Sequence, residues 1–265
     1  MKRLFQIFRS PKIQGPVFIL LVFTIFIRMN RPGEIVNDIV VRGNVAFLAV
    51  GDAGLRVVDI SNPSALIEVG SFDTAGSANS IYLKGDFAYL ADGNQGLIIL
   101  DISDPTALKS IGYLNIPGTA EDIAVAGKFA YIATGRSGLQ IINIDDPKKP
   151  FKPEGFKEYQ PRAYLKRIAL KDGQAYIADT NQRLRVIDLS KPDSPTEISV
   201  FNAGAVVNNL SILGNTAYLA GSQRGLILVD IKNPAEIKEI SVHDTPGNAK
   251  SVAIAGLNAF VADMV

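Results

Sequence analysis

The chain has 265 residues, 47% of them hydrophobic and 20% charged, which is typical of a globular protein and excludes a disordered one. It has no cysteine and a single histidine, so disulfides, thiolate metal sites and histidine-cluster metal sites are excluded. Six of the 27 basic residues and none of the 26 acidic ones fall in residues 1–33, which leaves a net charge of −5 on the remainder. An acidic remainder argues against a nucleic-acid partner, because such binding depends on neutralising phosphates.

The N-terminal segment contains an apolar run of eleven residues, 17–27, interrupted only by Thr24 and preceded by four cations. The run is short for a membrane-spanning helix but fits the apolar core of a secretory signal. No small residues follow it at a cleavage site, so an uncleaved anchor is as good an interpretation as a cleaved peptide. We predict that residues 1–33 are a signal peptide or an N-terminal signal anchor, which contacts the membrane through residues 16–28 if it is uncleaved. The charge balance places the N-terminus in the cytoplasm and the remainder outside, and the alternative is a buried core strand.

From residue 34 onward the sequence repeats. One aromatic residue recurs in each copy, at intervals of 42, 42, 45, 42 and 42 residues. These landmark aromatics are Phe47, Tyr89, Tyr131, Tyr176, Tyr218 and Phe260. A fixed period in the 40s with no room for long helices predicts radial repetition of a small β-sheet.

Each copy has the pattern of four short strands. In the second copy, apolar or alternating segments occur at 80–83, 87–91, 97–102 and 108–114, and turn residues separate them. Four antiparallel strands in 42 residues make one propeller blade. We therefore predict an all-β chain in which residues 34–265 form a β-propeller of four-stranded antiparallel blades, with five complete blades and the first half of a sixth.

The sixth copy includes only its first two predicted strands. A half blade leaves a strand edge unpaired, which promotes aggregation. We expect the chain to be truncated from a longer protein with more blades; the alternative is an open fan that closes by dimerising.

The third strand of each copy carries a family resemblance. Its sequences are LRVVD at 55–59, LIILD at 97–101, LQIIN at 139–143, LRVID at 184–188 and LILVD at 226–230. Together with the surrounding AYLADG, GL and DIS-x-P, they resemble the LVIVD repeat. That family forms β-propellers on bacterial and archaeal cell-surface proteins, so the resemblance implies a surface-displayed propeller and implies little about activity. Two copies depart from the pattern, since Asn143 replaces the motif aspartate and Arg183 replaces a glycine.

The motif aspartates are candidates for metal binding or for a structural role in turns. Each follows a strand and precedes a proline-containing turn, where a carboxylate accepts turn N–H groups. An asparagine does the same, which accounts for Asn143. One carboxylate per loop falls short of the six to eight oxygens that calcium takes. We therefore predict structural turns, no metal site and no cofactor.

The innermost strand of each copy begins with a polar pair, ten residues before the landmark aromatic. Radial repetition brings these pairs to one rim of the channel, where they could hold a polar ligand or a peptide. The rim candidates are Asn37, Asp38, Asn79, Glu121, Asp122, Lys166, Arg167, Asn208, Asn209 and Lys250. A solvated funnel is the alternative, because exposed polar residues need no special explanation.

The one longer interval contains three extra residues, in a stretch where basic and aromatic residues alternate. Insertions in repeat arrays often lie on the binding face. The partner-binding candidates in this loop are Lys149, Phe151, Lys152, Phe156 and Tyr159. The equal alternative is an enlarged outer strand whose aromatics pack on the neighbouring blade.

The sequence has no nucleophile elbow and no phosphate-binding loop. We therefore favour a non-catalytic, surface-displayed scaffold that binds a protein or glycan partner at the channel rim. A hydrolase or lyase at the channel mouth is the alternative, and a purely architectural spacer is a third. The candidate residues for an enzyme are Glu121, Asp122, Lys166, Arg167 and Lys250.

Overall fold

The computed structural model describes residues 35–62 and 64–264. The predicted signal peptide or anchor, residues 1–33, lies outside the described residues. The described part consists of 21 β-strands joined by turns, without a helix, and so it also includes no helix that could span a membrane. The all-β prediction is confirmed.

The strands form six antiparallel sheets in chain order, numbered here 1 to 6. Sheet 1 contains β1 (Asp38–Arg42), β2 (Val45–Ala49), β3 (Leu55–Asp59) and β4 (Ile67–Phe72), and sheet 2 contains β5 (Ser80–Lys84), β6 (Phe87–Ala91), β7 (Leu97–Asp101) and β8 (Lys109–Leu114). Sheet 3 contains β9 (Asp122–Ala126), β10 (Phe129–Ala133) and β11 (Leu139–Asn143), and sheet 4 contains β12 (Leu165–Lys171), β13 (Gln174–Asp179), β14 (Arg183–Asp188) and β15 (Thr196–Asn202). Sheet 5 contains β16 (Asn209–Leu213), β17 (Thr216–Ala220), β18 (Leu226–Asp230) and β19 (Lys238–His243), and sheet 6 contains β20 (Asn248–Ala255) and β21 (Asn258–Met264).

The first strands of successive sheets, β1, β5, β9, β12, β16 and β20, lie side by side and form the inner wall of the array. Each sheet then runs outward through its later strands in sequence order. The described sheets do not close into a ring.

Sheet 3 departs from the predicted four strands. Its outer edge is a loose segment that meets β11 at two isolated bridges, Asn143 with Phe151 and Leu139 with Tyr159. The three-residue insertion lengthens this segment, and Pro150 and Pro153 within it lack the N–H groups that a ladder needs. The segment therefore follows the edge of the sheet without forming a fourth strand.

The core is divided among the seams between successive sheets. Tyr89 in sheet 2, for example, packs in one cluster with Ile132 and Ile142 of sheet 3. The landmark aromatics Phe47 and Tyr176 pack in the same way on the sheets that follow them, and they are 0% and 1% exposed. Each sheet thus buries its apolar face on its neighbour, the nearest-neighbour pattern of repeat proteins.

The outer strands contact the proline-containing loop of the next sheet. A Cβ added at Gly70 would lie 2.0 Å from the carbonyl oxygen of Pro105, and one at Gly112 would lie 2.1 Å from that of Pro147. At the matching position of sheet 4, the Ser199 hydroxyl donates a hydrogen bond of 2.6 Å to the carbonyl of Pro234. The recurring proline loop is therefore a packing element as well as a turn.

The structural interpretation of the motif aspartates is confirmed. Each accepts a hydrogen bond from the backbone N–H two residues later, and Asn143 does the same. The pairs are Asp59 with Ser61 at 2.8 Å, Asp101 with Ser103 at 2.9 Å, Asn143 with Asp145 at 2.9 Å, Asp188 with Ser190 at 2.8 Å and Asp230 with Lys232 at 2.8 Å.

The arginine that replaces a glycine in the fourth copy is accommodated by a different turn. Gly96 in the second copy has φ +86° and leaves no room for a Cβ beside the carbonyl oxygen of Leu114, 2.6 Å away. In the fourth copy the positive φ, 64°, moves to Gln182, and Arg183 becomes the first residue of β14. The carboxylate of Asp179 holds this turn by accepting the Arg183 N–H at 3.1 Å.

We expect Gly112→Ala to lower the free energy of unfolding by about 1–3 kcal/mol, because its Cβ would clash with backbone that cannot easily move. Urea titration followed by circular dichroism measures this change. Ser110→Ala, an exposed position on the same strand, is the matched control and should leave the urea midpoint nearly unchanged. Equal midpoints for the two variants would contradict the packing role of the proline loop.

We expect Asp101→Ala to lower the urea midpoint and Asp101→Asn to preserve it near neutral pH, because an amide oxygen also accepts the Ser103 N–H. Hydrogen bonds from the Ser103 hydroxyl and backbone N–H lower the pKa of Asp101. The wild-type contribution is therefore present above about pH 4 and is lost as the pH falls further, whereas the asparagine variant has no such dependence. Urea midpoints measured at several pH values test both statements, and an asparagine variant as unstable as the alanine variant would refute them.

Candidate functional site

Three of the rim pairs begin with an asparagine, and all three asparagines make the same kind of contact with the next sheet. The side-chain amide of Asn37 donates to the carbonyl of Ala78 at 3.1 Å, that of Asn79 to Ala120 at 2.9 Å, and that of Asn208 to Ala249 at 2.8 Å. In each case the acceptor lies 41 residues later, at or just before the start of the first strand of the next sheet. These asparagines therefore connect neighbouring sheets.

Second residues of the rim pairs form a parallel set of links. Asp38 accepts the backbone N–H of Ile81 at 3.0 Å, Asp122 accepts that of Ile168 at 2.8 Å, and Asn209 accepts that of Val252 at 3.2 Å. Each bond joins the first strand of one sheet to a first strand of the next. A carboxylate and an amide serve equally here because both offer an acceptor oxygen.

Two of these carboxylates share one hydroxyl. Ser80 Oγ lies 3.0 Å from Asp38 Oδ2 and 2.5 Å from Asp122 Oδ1. Burial raises the pKa of Asp122 to about 6; the charge of Arg167 opposes this rise and that of Asp38 adds to it. A proton on Asp122 allows it to donate to Ser80 while Ser80 donates to Asp38, which satisfies all three groups. Asp122 also accepts the N–H of Ile123, so both of its oxygens are engaged.

The remaining rim candidates behave differently. Glu121 accepts a hydrogen bond from the Tyr164 hydroxyl, and Arg167 Nε donates to the carbonyl of Asn208 at 2.8 Å.

Lys166 and Lys250, by contrast, have no hydrogen bond or ion pair among the described residues. Burial and the charges of Arg167 and Lys250 lower the pKa of Lys166, while Glu121 acts against this shift. Within the described ranges the rim therefore has two ammonium groups without a hydrogen bond or ion pair, on sheets 4 and 6.

The inserted segment is anchored by its aromatic residues. Phe156 packs on Phe129 with ring centroids 5.8 Å apart, and the Tyr159 hydroxyl donates to Glu197 of sheet 4. The Tyr159 contact agrees with the alternative that the aromatics pack on the neighbouring blade, whereas Phe129 belongs to sheet 3 itself. Phe151 is 52% exposed, and Lys149 and Lys152 also lie on the surface, with Lys152 paired to Glu158. Partner binding by this loop stays a prediction, for which Lys149, Phe151 and Lys152 remain available.

A buried ion network supports this anchor and was not predicted. Arg185, 5% exposed, donates through Nε to Asp179 and through Nη1 to Glu197, both at 2.7 Å. The only sequence signal for it is a charged residue in the middle of the apolar motif LRVID.

The described residues include no group of three or more histidine, cysteine, aspartate or glutamate side chains placed to hold a metal ion.

These seams, Asx turns and inner-strand links define an all-β repeat protein built from small antiparallel sheets. The chain belongs to the LVIVD-repeat family: the LVIVD repeat model matches residues 33–74, 75–115, 117–152, 164–203 and 204–245. The resemblance inferred from the third-strand motifs is thereby confirmed. No protein of curated function matches the chain.

Solved structures share the fold at low sequence identity. A computationally designed protein, Ika8, superposes with a TM-score of 0.65 and 9% identity, covering 86% of this chain and 68% of its own. A functionally unknown protein from Desulfotomaculum acetoxidans gives 0.66 and 14%, covering 80% and 71%. The Cps50 (Swd1) β-propeller domain of Myceliophteria thermophila gives 0.64 and 11%, covering 82% and 75%. At these identities the similarity concerns the fold alone.

We expect Asp122→Asn to be more stable than the wild type above pH 6, by about 1–3 kcal/mol. The raised pKa means that the folded state binds this proton more tightly than the unfolded chain, whose aspartates titrate near 3.9. The resulting stabilisation of the wild type is complete below about pH 3.9 and is lost as the pH rises through about 6. The asparagine stays neutral and still accepts the Ile168 N–H, as Asn209 does for Val252.

Urea titrations from pH 4 to pH 8 measure this difference. Asp145→Asn, at an exposed loop position, is the control and should track the wild type at every pH. Parallel pH profiles for Asp122→Asn and the wild type would show that Asp122 does not titrate in this range.

Proposed function

We propose that the chain is a non-catalytic scaffold, displayed on the cell surface, that binds a protein or glycan partner at the channel rim. A propeller-like repeat fold suggests a scaffold or binding role. Within this proposal sheets 1 to 5 serve as five propeller blades and sheet 6 as the first half of another. The observation that carries the proposal is the pair of rim lysines, Lys166 and Lys250, which form no hydrogen bond or ion pair with the described residues.

The rim residues divide into two groups by what they contact. Asn37, Asn79 and Asn208 are used to join sheets, as are Asp38 and Asp122. Residues engaged in this way have little capacity left for a ligand.

Lys166 and Lys250 keep their donors free, and each lies at the start of an inner strand, where a partner covering the channel would contact it. Burial contributes most to the lowered pKa of Lys166, and repulsion from Arg167 and, to a smaller extent, from Lys250 adds to it. A negatively charged group placed between them relieves this repulsion and forms charge-assisted hydrogen bonds. We therefore propose that the partner presents carboxylate, sulfate or phosphate groups at the rim, on an acidic glycan or on an acidic protein segment.

Catalysis at the rim is the second candidate, and the raised pKa of Asp122 is the observation that favours it, since perturbed carboxylates are common in active sites. The engagement of both Asp122 oxygens within the fold favours a structural role for that residue. Combined substitution of Glu121, Lys166 and Lys250 by alanine separates the candidates. Loss of turnover supports an enzyme, and loss of partner capture with no turnover in the wild type supports the scaffold.

Surface display rests on the apolar run and cations of residues 1–33 and on the LVIVD-repeat family. Fractionation of cells that express the full chain with a C-terminal tag tests it. Protease added outside intact cells should remove the tag. A tag that stays protected in intact cells and is cleaved after lysis would contradict surface display.

We expect Lys166→Ala/Lys250→Ala to weaken binding to an acidic polymer at least tenfold, because two charge-assisted contacts are lost. Polygalacturonate represents an acidic glycan and poly-glutamate an acidic protein segment; affinity electrophoresis at low salt measures both. Lys109→Ala/Lys191→Ala removes the same charge from exposed positions outside the rim and serves as the control. Equal affinities for the two double variants would refute rim binding.

A further inference from the structure

The first strand of each sheet ends in one residue at the opposite end from the rim, next to the turn that leads into the second strand. In sheets 1 to 6 these residues are Arg42, Lys84, Ala126, Lys171, Leu213 and Ala255. Unlike the rim asparagines, this position varies strongly from copy to copy. The length of the side chain at this position determines how much of the seam is filled at this end.

In sheets 1 and 2 a long cation closes the seam. Arg42 Nη1 donates to the carbonyl of Gly85 at 2.6 Å, and its guanidinium lies 5.5 Å from the ring centroid of the landmark Phe47. Lys84 Nζ donates to the carbonyl of Gly127 at 2.5 Å. In both cases the side chain crosses from one sheet to the first turn of the next, and the aliphatic stem covers apolar surface on the way.

In sheet 3 the corresponding residue is Ala126, which is too short to cross. A cavity of about 500 Å³ occupies this seam between sheets 3 and 4, and Ala126, Tyr131 and Gly173 are among the residues that line it. A second cavity, of about 390 Å³, occupies the seam between sheets 5 and 6, where Leu213 takes the place of the cation. The two seams that have Ala126 or Leu213 in place of the cation thus both have a cavity at this position. We attribute each cavity to the absence of the long side chain.

The cavity between sheets 3 and 4 has the size and chemistry of a small-molecule site. Its volume falls in the range of ligand pockets, about 300–1,000 Å³. Much of its wall is apolar, with Val125, Ile168 and Leu189 among the contributors. Neither the Tyr131 hydroxyl nor the Gln174 amide, both in the lining, has a hydrogen-bond partner in the described part of the chain.

The charges at the cavity favour a neutral ligand. Lys171, the cation in its lining, forms an ion pair with the adjacent Asp172. Burial raises the pKa of Tyr131, so its hydroxyl is neutral at physiological pH and can both donate and accept.

We propose that the cavity between sheets 3 and 4 binds a small, mostly apolar molecule with one neutral hydrogen-bonding group, which meets Tyr131 and Gln174. The site is separate from the rim and does not depend on the rim function. Its existence follows from Ala126 standing where sheets 1 and 2 have Arg42 and Lys84.

The experiment uses 4-fluorobenzyl alcohol as the probe and 4-fluorotoluene as a probe without the hydroxyl. Fluorine NMR measures the affinity of each, and amide NMR locates the site. We expect the alcohol to shift the amides of residues 123–126 and 168–174. Absence of these shifts up to the solubility limit of the alcohol would overturn the proposal.

Ala126→Lys should weaken binding at these amides at least tenfold, because the lysine fills the cavity and reaches the turn at Gly173 as Lys84 reaches Gly127. Ala255→Lys, the equivalent change in sheet 6, is the matched control and should leave these shifts unchanged. Wild-type affinity in a folded Ala126→Lys variant would overturn the site.

Tyr131→Phe keeps the shape of the cavity, so it tests the site even if Ala126→Lys does not fold. It should weaken the alcohol about fivefold, the effect of one net hydrogen bond, and leave 4-fluorotoluene unaffected. Equal changes for both probes, or no change for either, would overturn the role of the Tyr131 hydroxyl in recognising the ligand.

Discussion

The structure depends on each sheet covering the apolar face of the one before it. A single four-stranded sheet cannot bury both of its faces, and burial of apolar area is the main favourable contribution to folding. Phe47, Tyr89 and Tyr176 each face a four-stranded or three-stranded neighbour and are at most 2% exposed. Tyr218 faces the two-stranded sheet 6 and is only half-buried, and so is Phe260, beyond which the described residues contain no sheet. The landmark aromatic is thus less buried where the following sheet has only two strands, or where the described residues contain no further sheet.

The polar links follow from the same constraint. Where inner strands of adjacent sheets are pressed together, the backbone groups at their ends lie close to the neighbouring strand, and leaving them unpaired costs free energy. Asn37, Asn79 and Asn208 satisfy carbonyls there, and Asp38 and Asp122 satisfy N–H groups. Recurrence of the same residue type therefore indicates a structural role in this array. Positions that break the recurrence, such as Lys166, Lys250 and Ala126, are where binding is proposed.

Much of the fold could be predicted from the sequence because its causes are local. Alternating apolar residues, glycine turns and the motif aspartates act within one repeat, so the strands and the Asx turns, including that of Asn143, agree with prediction. Less of the candidate site could be predicted. The rim positions were identified, but the division between Asn79, which joins sheets, and Lys166, which is free, depends on groups about 41 residues away. The loose edge of sheet 3 was not predicted, because the sequence of its insertion is also compatible with an enlarged outer strand and loop.

The sequence by itself determined the repeat, its period, the strand order within each sheet and the family, since each is written in residues close along the chain. Only the tertiary structure decided which polar residues are used in packing, how Arg185 is paired inside sheet 4 and where the seams leave space. The physical reason is that these properties depend on how strands and sheets pack together, which the residues of a single strand do not specify. A cavity of about 500 Å³ beside Ala126 depends on the distance that a side chain must cross to the next sheet, and that distance is set by packing.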